Sequence, residues 1–214
     1  KLTEKLENGR GVYTFCMCPG GYVVNASSEP GMLAVNGMSY HGRAGENANS
    51  AVIVTVSTED YGGDHPLAGV RFQRELERRA WEEGKGRIPV QRFEDYCMDR
   101  VSDHFGAVRP SMKGAYSFGN VRRIFPGELA ASIQEGISRM DRKIRGFAGD
   151  DVLLSGVESR TSSPVRIPRD EAFVSSVPWI YPCGEGAGYA GGITSAAMDG
   201  LKVAEALIRR FTEI

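Results

Sequence analysis

The apolar positions in the first third of the chain alternate. Val12, Thr14, Cys16 and Cys18 fall on one side of an extended segment and Tyr13, Phe15 and Met17 on the other, so residues 12–18 read as a β-strand. Cys18-Pro19-Gly20-Gly21 is a turn signal, and residues 22–26 read as the return strand of a hairpin. Residues 32–38 and 50–57 follow as strands; the second is β-branched at Val52, Ile53, Val54, Thr55 and Val56 and suits a buried position. Between them, residues 39–49 form a polar, glycine-punctuated loop. The period then changes. Asp64-His65-Pro66 is a helix start, and the segment to Glu83, dense in both charges, reads as a solvated helix. Residues 92–100 fit a short helix and 106–120 a loop. Pro126 opens a helix with Leu129, Ile133, Ile137, Met140 and Ile144 on one stripe.

The last third returns to strands at 151–159, 165–168 and 179–182. The last of these runs into Gly184-Glu185-Gly186-Ala187-Gly188-Tyr189-Ala190-Gly191-Gly192. A terminal helix follows, apolar or small at 193, 196, 197, 200, 201, 204, 207, 208 and 211, and is expected to close the protein against a sheet. The pattern is α+β: an antiparallel sheet domain with a helical insertion at about 64–146, then a C-terminal strand-loop-helix.

Composition narrows the function. With 26 Lys+Arg against 27 Asp+Glu in 214 residues, the chain lacks the basic surplus of a nucleic-acid or acidic-membrane binder. The longest uncharged run, 11–28, is interrupted by Pro19, Gly20, Gly21 and Asn25, so no membrane helix is expected. Four cysteines and no signal peptide point to reduced thiols in a cytoplasmic protein. The first residue is Lys1 rather than Met, which reads as an excised piece of something larger. Glycine stands out at 27 residues, and the glycines cluster.

A strand, a glycine loop and a helix have a physical use together. Free N–H groups at the helix start, with the helix dipole, favour an anion or an electron-rich ring edge. Glycines let a ligand approach the backbone. Gly186 to Gly191 matches GxGxxG by letter, but the dinucleotide fingerprint needs a second strand after the helix. Only 23 residues follow Gly191, and the helix uses nearly all of them, so an ADP-binding fold is not assigned. Cys16 and Cys18 are spaced too closely for a usual zinc set, and His41, His65 and His104 are scattered, so no metal site is expected. The loop 40–49 has two readings. In one it faces a substrate, with Arg43 holding an anion and His41 moving a proton. In the other it is a connector whose Asn residues satisfy its own backbone.

Five ordered motifs carry a family resemblance: Thr14-Phe15-Cys16-Met17-Cys18-Pro19-Gly20-Gly21, Val35-Asn36-Gly37-Met38-Ser39-Tyr40, Glu46-Asn47-Ala48-Asn49-Ser50-Ala51, Ser162-Ser163-Pro164-Val165-Arg166-Ile167 and Tyr181-Pro182-Cys183 running on through the glycine cluster to Ile193. The chain resembles the C-terminal part of the FAD-dependent dehydrogenase-like flavoproteins of bacteria, a largely uncharacterised family. That resemblance implies FAD in the full-length protein and flavin-mediated hydride transfer. An unidentified small-molecule substrate and NADH or NADPH as a candidate electron donor are the partners expected, and the charge balance and hydropathy above speak against nucleic-acid and membrane partners. It implies a middle, substrate-capping domain at 1–150. Residues 151–214 would then be the C-terminal segment of an FAD-binding domain whose N-terminal half is absent. Gly184, Glu185, Gly188, Gly191, Gly192 and Ile193 would be the flavin-side contacts, and a redox role for Cys16 and Cys18 beside the flavin is the alternative to plain thiols. His41 and Arg43 are the catalytic candidates. A non-catalytic ligand- or protein-binding module is the rival reading.

Overall fold

A computed structural model of the chain describes residues 1–212. Its first half contains β1 (Thr3–Lys5), β2 (Gly11–Cys18), β3 (Gly21–Asn25), β4 (Val35–Ser39), β5 (Asn49–Val54), α1 (Thr58–Tyr61), α2 (Ala68–Glu83) and β6 (Ile88–Arg92). Then come α3 (Phe93–Cys97), β7 (Met112–Lys113), β8 (Tyr116–Phe118), α4 (Val121–Ile124), α5 (Gly127–Met140), β9 (Leu153–Ser155) and α6 (Ile193–Thr212). The class is α+β, as the sequence pattern implies. No helix among the described residues is long and apolar enough to cross a membrane. The chain divides into two compact units: Lys1–Asp60 with Gln73–Ser159, and Tyr61–Phe72 with the segment from Arg160 onward.

The first unit holds three three-stranded sheets rather than one antiparallel sheet, in the orders β1-β2-β5, β4-β3-β7 and β8-β6-β9. The first is antiparallel throughout, while β3 with β7 and β6 with β8 pair in parallel. The turn after Cys18 forms, but β2 and β3 do not make a hairpin. β2 pairs with β1 and β5, and β3 with β4 and β7. A bulge explains the divergence. The register runs from Phe15↔Ala51 to Cys18↔Asn49, with an extra residue on β2, and Cys16 takes a left-handed φ of 46°. A bulge bends its strand and increases the local twist. It also breaks the alternation that would have put Cys16 and Cys18 on one face.

β6 is buried along its whole length, yet its sequence, Ile-Pro-Val-Gln-Arg, lacks an apolar-strand signature. Its polar groups are matched by partners from nearby and distant segments alike. Gln91 Nε2 donates to Arg100 O and Asn120 Oδ1, its Oε1 accepts from Arg122 N, and the Arg92 guanidinium meets Glu94 and Asp151. Buried polar groups persist when so paired. The exposed side of α2 is laced by ion pairs of Arg78 and Arg79 with Glu75 and of Arg78 with Glu82.

The α5 stripe Leu129, Ile133, Ile137 and Met140 is buried as its spacing predicts, whereas Ile144 falls beyond the helix end and is exposed. Met140 meets Val12 and Leu6 in one apolar cluster with Val52, Val54 and Phe147. Gly136 is the point of closest approach. A Cβ there would stand 2.4 Å from Val12 Cγ1, a side chain with no exposure at all. Gly136→Val is therefore expected to destabilise the protein by about 1–3 kcal/mol through overpacking. The helix-propensity gain, under about 1 kcal/mol, does not offset it. Urea unfolding checks this: the midpoint should fall and recover in part when Val12→Ala is added, and an unchanged midpoint would mean that β2 gives way freely.

The second unit contains α6 and, among the described residues, an isolated bridge between Arg169 and Ser175 but no strand. The strands expected at 165–168 and 179–182 do not form. A ladder needs a neighbouring strand for its N–H and C=O groups, and this unit supplies none to either segment. The same fact corrects the reading of α6. Its unit has no sheet to cover the apolar stripe, and Ile193, Met198, Leu201, Ile208 and Phe211 stay exposed while Val203 is buried. Trp179, at a φ of 71°, is exposed and stacks on Phe211 with ring centres 6.1 Å apart.

Candidate functional site

The glycine loop is built on one half-buried ion pair. Arg169 Nη1 and Nη2 donate to the two Asp199 carboxylate oxygens at 2.9 and 2.7 Å, and Nη1 also donates to Pro182 O at 2.8 Å. Asp199, on α6, accepts the Gly184 N–H at 2.9 Å. One carboxylate thus fastens the helix, the loop start and the 165–175 segment together. The guanidinium holds the Asp199 carboxyl at about 2, below the usual 3.8, and the Gly184 N–H lowers it further. Inside the loop, Gly188 N–H donates to Glu185 O at 2.9 Å and Tyr189 N–H to Gly184 O at 3.0 Å. Ser163 Oγ donates to Gly186 O and Ile167 N–H to Ala187 O, so the loop is pinned from a second side.

These bonds sort the glycines by role. Gly188 has a φ of 83°, and a Cβ there would lie 2.6 Å from Val165 O; it is glycine because the fold requires it. Gly184, at φ 70°, makes the turn. Gly186 and Gly191 are different: a Cβ at either would meet nothing within 4 Å. At Gly192 it would meet only the Ser195 hydroxyl, at 3.7 Å. Gly192 O accepts the first intrahelical bond, from Ala196 N–H, so the N–H groups ahead of it at the start of α6 lie outside the helix ladder. The first turn carries no acidic residue, and Ile193, 93% exposed, stands at its lip. Glu185 is half-buried, and its carboxylate has no ion-pair partner among the described residues.

A flavin ring is planar and apolar on its faces, with an electron-rich pyrimidine edge. The backbone beside Gly186 and Gly191 is open, hydrogen-bond donors stand at the helix start, and no carboxylate opposes them in the first turn. The residues present fit such a group.

His41 and Arg43 lie in the first unit, in the turn after β4. Arg43 N–H donates to Tyr40 O, its φ is 49°, and its carbonyl is pressed against Gly20, where a Cβ would come within 2.3 Å. Both side chains are exposed and make no ion pair or hydrogen bond among the described residues. Beside them Lys113 Nζ stands 4.5 Å from the centre of the Tyr22 ring and 5.4 Å from that of Tyr40. Asn49 is the orphan of this loop: its Nδ2 and Oδ1 are buried without partners, packed where Gly21 and Gly37 leave room. Burial, with a smaller contribution from Glu158, raises the Cys16 thiol above its ordinary value. That is the opposite of an activated thiolate. Glu158 is itself pushed up to about 7 by burial. No cluster of three metal-ligating side chains occurs among the described residues.

The sequence pattern missed Arg169, Asp199 and Glu158. The first two lie thirty positions apart with no local signal; only the fold pairs them.

A family model described as "FAD-dependent protein, C-terminal domain-like" matches residues 1–161. An uncharacterized protein of Clostridium beijerinckii is 51% identical over 212 residues, which is 98% of this chain and 39% of that protein. The chain therefore spans about two-fifths of the length of the curated relative it matches, and the glycine loop lies within the shared stretch but beyond the family match.

Proposed function

Because the chain belongs to the FAD-dependent protein, C-terminal domain-like family, we propose that it is the C-terminal part of an FAD-dependent oxidoreductase. In this reading residues 1–150 cap the flavin and shape a substrate pocket, and residues 151–214 complete an FAD-binding domain begun elsewhere in a longer polypeptide. The observation that carries the reading is the glycine loop, whose Gly186 and Gly191 face open space at the start of a helix with no acidic first turn. The exposed stripe of α6 and the exposed Trp179 support the second part: an apolar face this extended belongs against a partner surface. The greater length of the relative supports it too.

When bound, the flavin supplies hydride transfer. The chain's own residues bind and orient. Gly191 and Gly192 would leave the backbone bare for the ring, the N–H groups at Ile193 and beyond would be the donors available to its pyrimidine edge, and Glu185 would be the acceptor available to the ribityl hydroxyls. Gly184 and Gly188 act by shaping the loop. His41 and Arg43 are the residues proposed to meet the substrate, with a nicotinamide nucleotide as electron source.

The test is flavin titration of the chain and of the longer polypeptide that carries it, followed by anaerobic addition of NADH or NADPH. The expected result is quenching of free-flavin fluorescence by the longer polypeptide and bleaching of the bound flavin by the nucleotide. A longer polypeptide that takes up no FAD on mild refolding overturns the reading and leaves a non-catalytic module.

A further inference from the structure

We propose that Arg166 is the anion-holding residue of the glycine-loop site, receiving a phosphate or carboxylate group of the ligand seated there. The identity of that ligand rests on the flavin reading; the rest stands on the geometry of the second unit. The Arg166 guanidinium lies 4.4 Å from the centre of the Tyr189 ring, against which Arg169 also lies, at 3.6 Å. Asp199 meets the charge of Arg169. Arg166 is exposed and, among the described residues, makes neither an ion pair nor a hydrogen bond. Two guanidiniums thus lie over one phenol ring, Asp199 pairs with Arg169 alone, and the Arg166 guanidinium stands beside the loop with no carboxylate bonded to it among the described residues.

That charge is held in place. A Cβ on Gly188 would stand 3.0 Å from Arg166 Cα and 3.2 Å from its Cβ, so loop backbone and arginine backbone are in contact. The neighbour Ile167 is bonded twice to the loop, its N–H donating to Ala187 O and its carbonyl accepting from Tyr189 Oη at 3.0 Å. A free surface arginine loses rotamer freedom when it clamps an anion. Stacking on Tyr189 has already removed much of that freedom. A guanidinium's donors form a fork at the edge of its plane, and none of those of Arg166 is bonded within the described residues. That fork matches phosphate and carboxylate oxygens. Gly186 and Gly191 supply the open approach.

The experiment compares the longer polypeptide that carries this chain with its Arg166→Gln variant, using FAD, riboflavin, inorganic pyrophosphate and succinate as probes. Flavin fluorescence reads the first two, and the NMR signal of the Arg166 Nε–H reads all four. Pyrophosphate is expected to move that signal saturably. FAD should bind the variant about tenfold more weakly, the scale of one lost charge-assisted hydrogen bond, while riboflavin, which has no phosphate, binds both alike. A signal moved by succinate and not by pyrophosphate supports the site with a substrate carboxylate as its anion. If FAD binds both proteins equally and neither anion moves the signal, the proposal is overturned while the flavin reading stands. If no flavin binds but pyrophosphate still moves the signal, the anion site stands and the flavin reading falls.

Discussion

Arg169→Met is expected to cost about 2–3 kcal/mol, the scale of the charge-assisted hydrogen bonds it removes from a half-buried ion pair. Both side chains are mostly covered, at 10% and 13% exposure, and water at their edge keeps the pair's worth below that of a fully buried one. The substitution removes five contacts together: two bonds to Asp199, one to Pro182 O and the placement of the guanidinium over the Tyr189 and Phe173 rings. It strands the carboxylate that caps Gly184, so the loop should loosen with the helix. Trp179 fluorescence in a Trp81→Phe background follows the transition, and the urea midpoint should fall sharply. Arg169→Lys should fall nearly as far, because an ammonium cannot reproduce the two-pronged geometry. The pH dependence has a fixed sign. Asp199 is held at about 2 in the folded chain against 3.8 ordinarily, so its contribution is complete above 3.8 and fades as pH falls toward 2. Asp199→Asn should abolish that part of the acid sensitivity. A methionine variant with an unchanged midpoint would show that the loop is held by its backbone bonds alone.

How much of this was legible beforehand depends on where each signal resides. α5 was readable because burial imposes a three-to-four spacing on Leu129, Ile133, Ile137 and Met140. The start of α6 was readable because the glycine run ends at Gly192. β6 was not. Pro89, Gln91 and Arg92 disguise a buried strand, and they are tolerated there only because Arg100, Asn120, Arg122 and Asp151 arrive from other segments. The false hairpin has a related cause. Local residues specify a turn at Pro19-Gly20, whereas the partner of each strand is decided by a bulge and by long-range pairing. In the candidate site, the glycines showed in the sequence but their division of labour did not. Gly188 and Gly191 look alike as letters; only the neighbouring Val165 carbonyl makes the first of them obligatory.

That division yields the second large effect. Gly191→Leu is expected to leave stability within about 0.5 kcal/mol, as for a surface substitution with no neighbour to disturb. It should weaken FAD binding by more than about tenfold, since a 1.4 kcal/mol loss suffices for a factor of ten. The reasoning is steric. A Cβ at 191 meets nothing within 4 Å among the described residues, so a leucine there is built outward from the loop on the side the ring would need in the flavin reading. Gly188→Ala should behave in the opposite sense. Its Cβ meets Val165 O at 2.6 Å in a left-handed backbone, so the loop itself must move and the unfolding midpoint should drop. Measuring both variants by urea unfolding and by flavin fluorescence separates a cradle from a scaffold. A leucine at 191 that neither lowers flavin affinity nor disturbs the fold would mean that the open side of the loop faces no cofactor, and the flavin-side contacts would then have to be sought on another surface of the second unit.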